Sequence, residues 1–237
     1  KAKVALVTGA TRGLGRQIAE GLAREGATIV VVSRKAPDCE AAAREIAALG
    51  VETLALPCDV GDWGQCANAV AAAYDRFGRV DVLVNNAGMS PVLRKLTELD
   101  EAGFDAIFNV NVKGVWRLST LVAERMAAGE GGSIINISST AAALASAPVA
   151  PYAGAKGAVN VLSKALARAY GPKVRVNAIM CGTFRTDLTA GFVDHPGFVK
   201  HVQSANPAKR VGDPPEITAA ALYLASSASS YTSGAIL

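Results

Sequence analysis

Short β-branched and apolar runs alternate along this chain with longer stretches whose apolar residues recur at helical spacing. Lys3–Thr8 reads as a buried strand, followed by a helical pattern from Arg16 to Glu25 that Gly26 stops. Thr28–Val32 is a second strand, and a helix from about Asp38 to Leu49 follows, ended by Gly50. The same rhythm predicts strands at Glu52–Leu56, Val80–Val84, Ser133–Ile137 and Val174–Ile179. Helices are predicted at Trp63–Phe77, at about Asp100–Ala128 and at Ala150–Tyr170, the last with Pro151 in its first turn. Strands separated by helices of this length imply βαβ crossovers. The expected fold class is therefore α/β, a doubly wound parallel sheet with helices on both faces.

No repeat, low-complexity tract or linker interrupts this pattern, so residues 1–237 are read as a single domain. The longest irregular segment, Cys181–Asp213, is rich in Gly, Pro, Asp and Thr. Its core, about residues 183–213, is expected to be a substrate lid, with a plain surface excursion as the alternative. Thr232–Leu237 looks like the start of another strand, and the natural chain is expected to continue past it.

Composition narrows the options. With 237 residues, 51% of them hydrophobic, the chain is long enough to bury a sizeable core. The net charge of +4 comes from 24 basic and 20 acidic residues spread along the sequence, with no basic block, so nucleic acid is not expected as a partner. No apolar run approaches the roughly 20 residues that span a bilayer, and no charged-then-apolar leader is present; a soluble, cytoplasmic protein without a membrane partner is expected. Cys39, Cys58, Cys66 and Cys181 form no Cys-x-x-Cys pair and read as reduced, packed thiols. His195 and His201 lack a usual ligand spacing, so no metal site is expected.

Candidate chemistry begins at the first strand. Thr8-Gly-x-x-x-Gly-x-Gly15 lies between a strand and a helix, the context that turns a glycine cluster into a pyrophosphate site. Gly9 permits the tight turn, while Gly13 and Gly15 admit a close ligand and close helix contact. The helix N-terminus offers free N–H groups to an anion. A site for NAD places an acidic residue at the end of the second strand, about 20 residues on. Here that place reads Val32-Ser33-Arg34-Lys35, and Arg12 lies in the glycine turn itself. Converging cations suit a 2′-phosphate, so NADP(H) is the preferred cofactor, with NAD(H) possible if Arg34 and Lys35 are only a solvated strand end.

The second chemical feature is the trio Ser139, Tyr152 and Lys156. Tyr152 and Lys156 lie four apart on a helical pattern and so share a face. A nearby cation is expected to lower a phenol from its ordinary value of about 10, readying it to exchange a proton with an alcohol or carbonyl.

With these motifs in order, the chain resembles the short-chain dehydrogenase/reductase family, whose fold is the single-domain Rossmann sheet. The shared marks are Thr8-Gly-x-x-x-Gly-x-Gly15, Cys58-Asp59-Val60, Asn85-Asn-Ala-Gly88, Asn111, Ser139, Tyr152-x-x-x-Lys156 and Arg210-x-Gly212. The resemblance implies a catalytic set of Asn111, Ser139, Tyr152 and Lys156. Ser139 is preferred to Ser138 because it precedes Tyr152 by thirteen residues, and Asn111 to Asn109 by its spacing to Gly114. Asn111 is implied to distort its helix and to hold a water in a proton path to Lys156.

The implied cofactor set is Gly9, Thr11, Arg12, Gly13, Leu14, Gly15, Ser33 and Arg34 on the phosphate side. Asp59 and Val60 follow at the adenine, Asn86, Ala87 and Gly88 in the cleft, and Tyr152 and Lys156 at the nicotinamide ribose. Gly182, Thr183 and Thr186 complete it, with Thr186 beside the carboxamide. The sequence departs from the family where Cys181-Gly182 replaces the usual Pro-Gly.

The implied reaction moves a hydride between the nicotinamide and a carbonyl or secondary alcohol. Tyr152 handles the proton, Ser139 hydrogen-bonds the reacting oxygen, and Lys156 and the oxidised nicotinamide lower the phenol pKa. A small ketone, sugar or sterol-like alcohol is the expected substrate, with apolar cover from Phe184, Leu188, Phe192, Val193 and Phe198. One alternative is a 3-oxoacyl carrier-protein reductase, ranked lower because the region Arg125–Ser133 has a single arginine. Another is a non-catalytic dinucleotide-sensing module, against which the full catalytic set argues. A homo-oligomer, dimer or tetramer, is expected by analogy.

Overall fold

The computed structural model describes residues 2–144 and 146–237. Six parallel strands form one sheet: β1 (Val4–Thr8), β2 (Thr28–Ser33), β3 (Thr53–Pro57), β4 (Val82–Asn85), β5 (Gly132–Ser139) and β6 (Val174–Cys181). Their order is β3-β2-β1-β4-β5-β6, with every pairing parallel. The chain winds outward in both directions from β1, so the switch point falls between β1 and β4. Ligands of open parallel sheets sit outside the carboxyl ends of the strands at that crevice.

Strand periodicity builds two cores. Ala5, Val7, Ile29 and Val31 face one side and pack against α1 (Gly13–Arg24), α2 (Ala36–Ala47) and α8 (Thr218–Ala225). Val4, Leu6, Val30 and Val32 alternate with them and face α3 (Trp63–Phe77), α5 (Gly114–Ala128) and α6 (Ala150–Tyr170). Helices thus cover both faces, as the alternating pattern requires.

Local signals set the helix ends. Asp62 caps α3 by accepting from Gln65 N (2.8 Å), and Gly78 closes it at φ 74°. Asp100 caps α4 (Glu101–Phe108) by accepting from Gly103 N (2.8 Å). The single helix expected from Asp100 to Ala128 is three pieces: α4, a π-helical turn at Asn109–Lys113, and α5. The segment expected to be a lid is also less irregular than expected. It contains α7 (Pro196–Ala205), started by Pro196 and capped by His195, whose Nδ1 accepts from Gly197 N at 3.2 Å. The expected terminal strand begins beside β6, where Ala178 N donates to Ala235 O (2.9 Å) and Leu237 N to Ala178 O (3.0 Å).

Candidate active site

The glycine turn and the segment after β4 are knitted together at the switch point. Thr8 Oγ1 accepts from Asn86 N (2.9 Å) and Ala87 N (3.0 Å), while Asn86 Nδ2 donates to Thr8 O (2.9 Å) and Gly9 O (3.3 Å). Gly9 has φ 65° and Gly13 φ 56°, both in the left-handed region that favours glycine. A side chain at Gly15 would collide with Asn86 Nδ2 and the Gly9 carbonyl. Arg12 is the N-cap of α1 but supplies no capping bond, and no acidic residue occupies the first turn. The α1 terminus therefore presents its N–H groups uncapped. Leu14 anchors the turn by packing on the core beneath.

Thr11 and Ser33 meet through their hydroxyls (3.4 Å), and Arg34 and Lys35 are exposed at the end of β2. Arg12 is also exposed and pairs with Asp187, in the segment between β6 and α7, at 3.3 Å. On the other flank, Asp59 Oδ1 accepts from Gly61 N (2.9 Å), and its own N–H donates to Gln65 (2.9 Å). Val60 is buried, and the start of α5 lies so close to its carbonyl that Gly114 leaves no room for a side chain.

At the carboxyl ends of β5 and β6 the remaining groups converge. Lys156 is buried, donates to the Ile137 carbonyl (2.7 Å), and lies 5.6 Å from the centre of the Tyr152 ring. Its removal from water lowers its pKa to about 8. Ser139 Oγ accepts from Ala141 N (3.1 Å) and lies beside the Tyr152 phenol. Burial raises the Tyr152 pKa, and the Ser139 hydrogen bond opposes that rise. The expected lowering of the phenol by Lys156 is thus not what the protein alone provides. The ammonium points at a backbone carbonyl and sits over the ring face, and burial is the largest influence on the phenol.

Asn111 sits in the π-helical turn and is fully buried. Its amide donates to Met89 O and Ile107 O (2.9 Å each), while its Oδ1 has no partner among the described residues. That oxygen would lie 3.0 Å from a Cβ at Gly88, and Lys156 Nζ 3.7 Å from the same point, so Gly88 leaves space that both groups border. Gly182 is exposed beyond β6. The Thr183 carbonyl accepts from Gly212 N (3.0 Å), and Thr186 reaches back to within 3.6 Å of where a Gly13 side chain would begin.

These features fit a dinucleotide. An uncapped helix end and a glycine cradle lie at one end of the crevice, and an orphaned buried acceptor with an amine at the other. Sequence reading left three neighbours out of the site. Thr8 supports the 86–87 segment through its hydroxyl, a role visible only once β1 and β4 are adjacent. Cys181 is the register partner of Ser139, and burial lifts its thiol to about 11 despite Lys156. Asp187 meets Arg12 across the crevice, a contact that no sequence spacing encodes.

A doubly wound sheet with a phosphate turn at its switch point and a Ser-Tyr-Lys cluster at its strand ends defines a dinucleotide-dependent oxidoreductase. A family model described as enoyl-(acyl carrier protein) reductase matches residues 9–237. Gluconate 5-dehydrogenase of Gluconobacter oxydans is 36% identical over 234 residues, 98% of this chain and 91% of that protein. The crystal structure of a gluconate 5-dehydrogenase from Burkholderia cenocepacia, in complex with NADP and tartrate, superposes with a TM-score of 0.95 at 35% identity, covering 99% of this chain and 92% of that one. A 3-ketoacyl-(acyl-carrier-protein) reductase from Brucella melitensis, complexed with NADH, gives a TM-score of 0.90 at 33% identity over 100% of this chain and 96% of that one. The chain belongs to the short-chain dehydrogenase/reductase family, and it is an oxidoreductase of the CH–OH/C=O class.

Proposed function

We propose that the protein is an NADP(H)-dependent dehydrogenase/reductase of a small polar carbonyl or secondary alcohol, with Ser139, Tyr152, Lys156 and Asn111 as its catalytic set. The observation that carries this reading is the convergence of these four side chains beside the glycine turn, with Asn111 Oδ1 left unpartnered and facing the space next to Lys156. Bound in the crevice, the nicotinamide cofactor supplies or accepts the hydride. Tyr152 gives its phenolic proton to the carbonyl oxygen in reduction and recovers it in oxidation. Ser139 donates a hydrogen bond to the same oxygen as charge develops there. Lys156 holds the nicotinamide ribose and links Tyr152 to the Asn111 oxygen, through which a water passes protons to solvent. Gly9, Thr11, Gly13, Leu14 and Gly15 form the pyrophosphate cradle, and Asp59 and Val60 frame the adenine. Asn86, Ala87, Gly88, Gly182, Thr183 and Thr186 line the nicotinamide half.

The preference for NADP(H) rests on Ser33 and Arg34 standing where a carboxylate would hold a ribose, with Arg12 in the adjacent glycine turn, and the NADP complex of the Burkholderia relative supports it. Titration with NADPH and NADH, read by nicotinamide fluorescence, tests it. NADPH is expected to bind at least about tenfold more tightly, the effect of one or two charge-assisted contacts to the 2′-phosphate. Tighter NADH would overturn the preference, and NAD(H) would become the cofactor.

For the substrate, the gluconate 5-dehydrogenase relatives support a panel headed by 5-ketogluconate and other keto-sugar acids. The lid residues expected to give apolar cover are partly used up within the lid. Phe192 and Phe198 meet edge to face at 4.9 Å, Val193 is buried, and Phe184 packs on Gly212. Such a lid favours a polar substrate over a sterol-like one. The carrier-protein alternative finds little support at the end of α5. Arg125 stacks on Tyr74, and Lys173 is occupied by the Ala127 and Gly129 carbonyls.

A single domain with a lid at about 183–213, a cytoplasmic location and a homo-oligomeric state complete the reading. Exposed Trp116 and a groove between Phe108, Val112 and Leu162 offer apolar surface for self-association. Sedimentation velocity is expected to show a dimer or tetramer at micromolar concentration, and a monomer would remove that part of the proposal.

A further inference from the structure

Lid and glycine turn meet at one charged point. Arg12 Nη1 lies 3.3 Å from Asp187 Oδ2, with 71% and 66% of the two side chains exposed. Arg12 sits at the mouth of α1, next to Thr11, whose hydroxyl reaches Ser33 at the end of β2. Asp187 follows Thr186, which is itself against Gly13. Among the described residues this is the ion pair that joins the lid to the phosphate side of the crevice; Arg185–Asp194 lies within the lid, and Arg34 and Lys35 have no such partner. A lid carboxylate therefore holds the guanidinium that a 2′-phosphate needs.

We propose that Asp187 is a cofactor-specificity residue, competing with the 2′-phosphate for Arg12 and so restraining the preference for NADP(H) over NAD(H). Two effects act in one direction. The ion pair must be given up before Arg12 can turn to a phosphate, and the carboxylate then remains near a ligand group of the same sign. A cofactor without the 2′-phosphate feels neither. The inference rests on the reading of Arg12 as a 2′-phosphate ligand.

Equilibrium titrations of the full chain with NADPH, NADH, 2′,5′-ADP and 5′-AMP test it in four proteins: wild type, Asp187→Asn, Arg12→Ala and the double variant. Asp187→Asn is expected to tighten NADPH and 2′,5′-ADP by about two- to fivefold, the range of an exposed ion pair, and to leave NADH and 5′-AMP unchanged. The gain should shrink in high salt and vanish in the Arg12→Ala background. If Asp187→Asn leaves the NADPH to NADH ratio unchanged, or weakens both cofactors alike, the competition is overturned. If Arg12→Ala leaves wild-type NADPH affinity intact, the reading of Arg12 fails first and the inference falls with it.

Discussion

Tyr152→Phe is expected to lower turnover by about 10²- to 10⁴-fold, the range associated with a positioned proton donor, while cofactor affinity stays within roughly threefold. The substitution removes one oxygen from a half-buried ring that Lys156 flanks at 5.6 Å and leaves the glycine turn untouched. Stability is expected to change little, because the hydroxyl's neighbour Ser139 keeps its bond from Ala141 N (3.1 Å). The direction of the reaction adds a second readout. Burial raises the phenol pKa, so Tyr152 carries its proton at neutral pH in the protein alone. Carbonyl reduction needs that proton and should be fast at neutral pH. Alcohol oxidation needs the phenolate and should climb as the pH becomes alkaline. Initial rates in both directions from pH 6 to 10, beside cofactor titration of the variant, check this. A variant with near-native turnover would end the assignment of Tyr152.

What sequence reading captured was whatever leaves a periodic or spaced trace. The strands repeat a two-residue alternation that assigns Ala5 and Val7 to one core and Val4 and Leu6 to the other. Tyr152 and Lys156 are four apart on one helix, so their proximity was legible without coordinates. The break between α4 and α5 left no trace in the apolar pattern, because a π-helical turn widens the backbone bonding without disturbing that pattern on either side; only the family resemblance, which made Asn111 a helix-distorting residue, pointed to it. Asn111 was placed by family spacing, whereas its unpartnered oxygen belongs to three-dimensional packing. The α7 helix hid behind Pro196 and Gly197, which read as loop residues but occupy its first turn. Thr218–Ala225 is apolar on nearly every side, so it has no polar face to announce a helix. The electrostatics were least legible of all. Spacing puts an amine near a phenol, but whether the amine faces the hydroxyl, the ring or a carbonyl depends on the Ile137 backbone.

That arrangement makes Lys156 the residue whose loss has a signature in stability as well as in rate. Lys156→Met is expected to reduce turnover by at least about 10²-fold, since the proposed ribose contact and proton path would both be lost. The stability test lies in its pH dependence. Full burial lowers the folded-state pKa from 10.5 to about 8, while in the unfolded chain the lysine keeps its ordinary value. Between those limits the unfolded state binds more protons than the folded state, so wild-type stability gains from this site as the pH rises. Below about pH 8 the cost of burying the ammonium is fully present; above about 10.5 it is gone. Relative to Lys156→Met, the wild type should gain up to roughly 3 kcal/mol across that window. At pH 7 the variant escapes the burial cost but loses the 2.7 Å bond to the Ile137 carbonyl, and the two changes oppose each other. The slope is therefore the informative quantity, because other titrating groups are common to both proteins and cancel. Urea midpoints of the two proteins at pH 7.5, 9 and 10 would measure it. A difference that stays constant with pH would mean that Lys156 remains an ammonium in the folded protein, and that the polar groups around it solvate the charge far better than one carbonyl can.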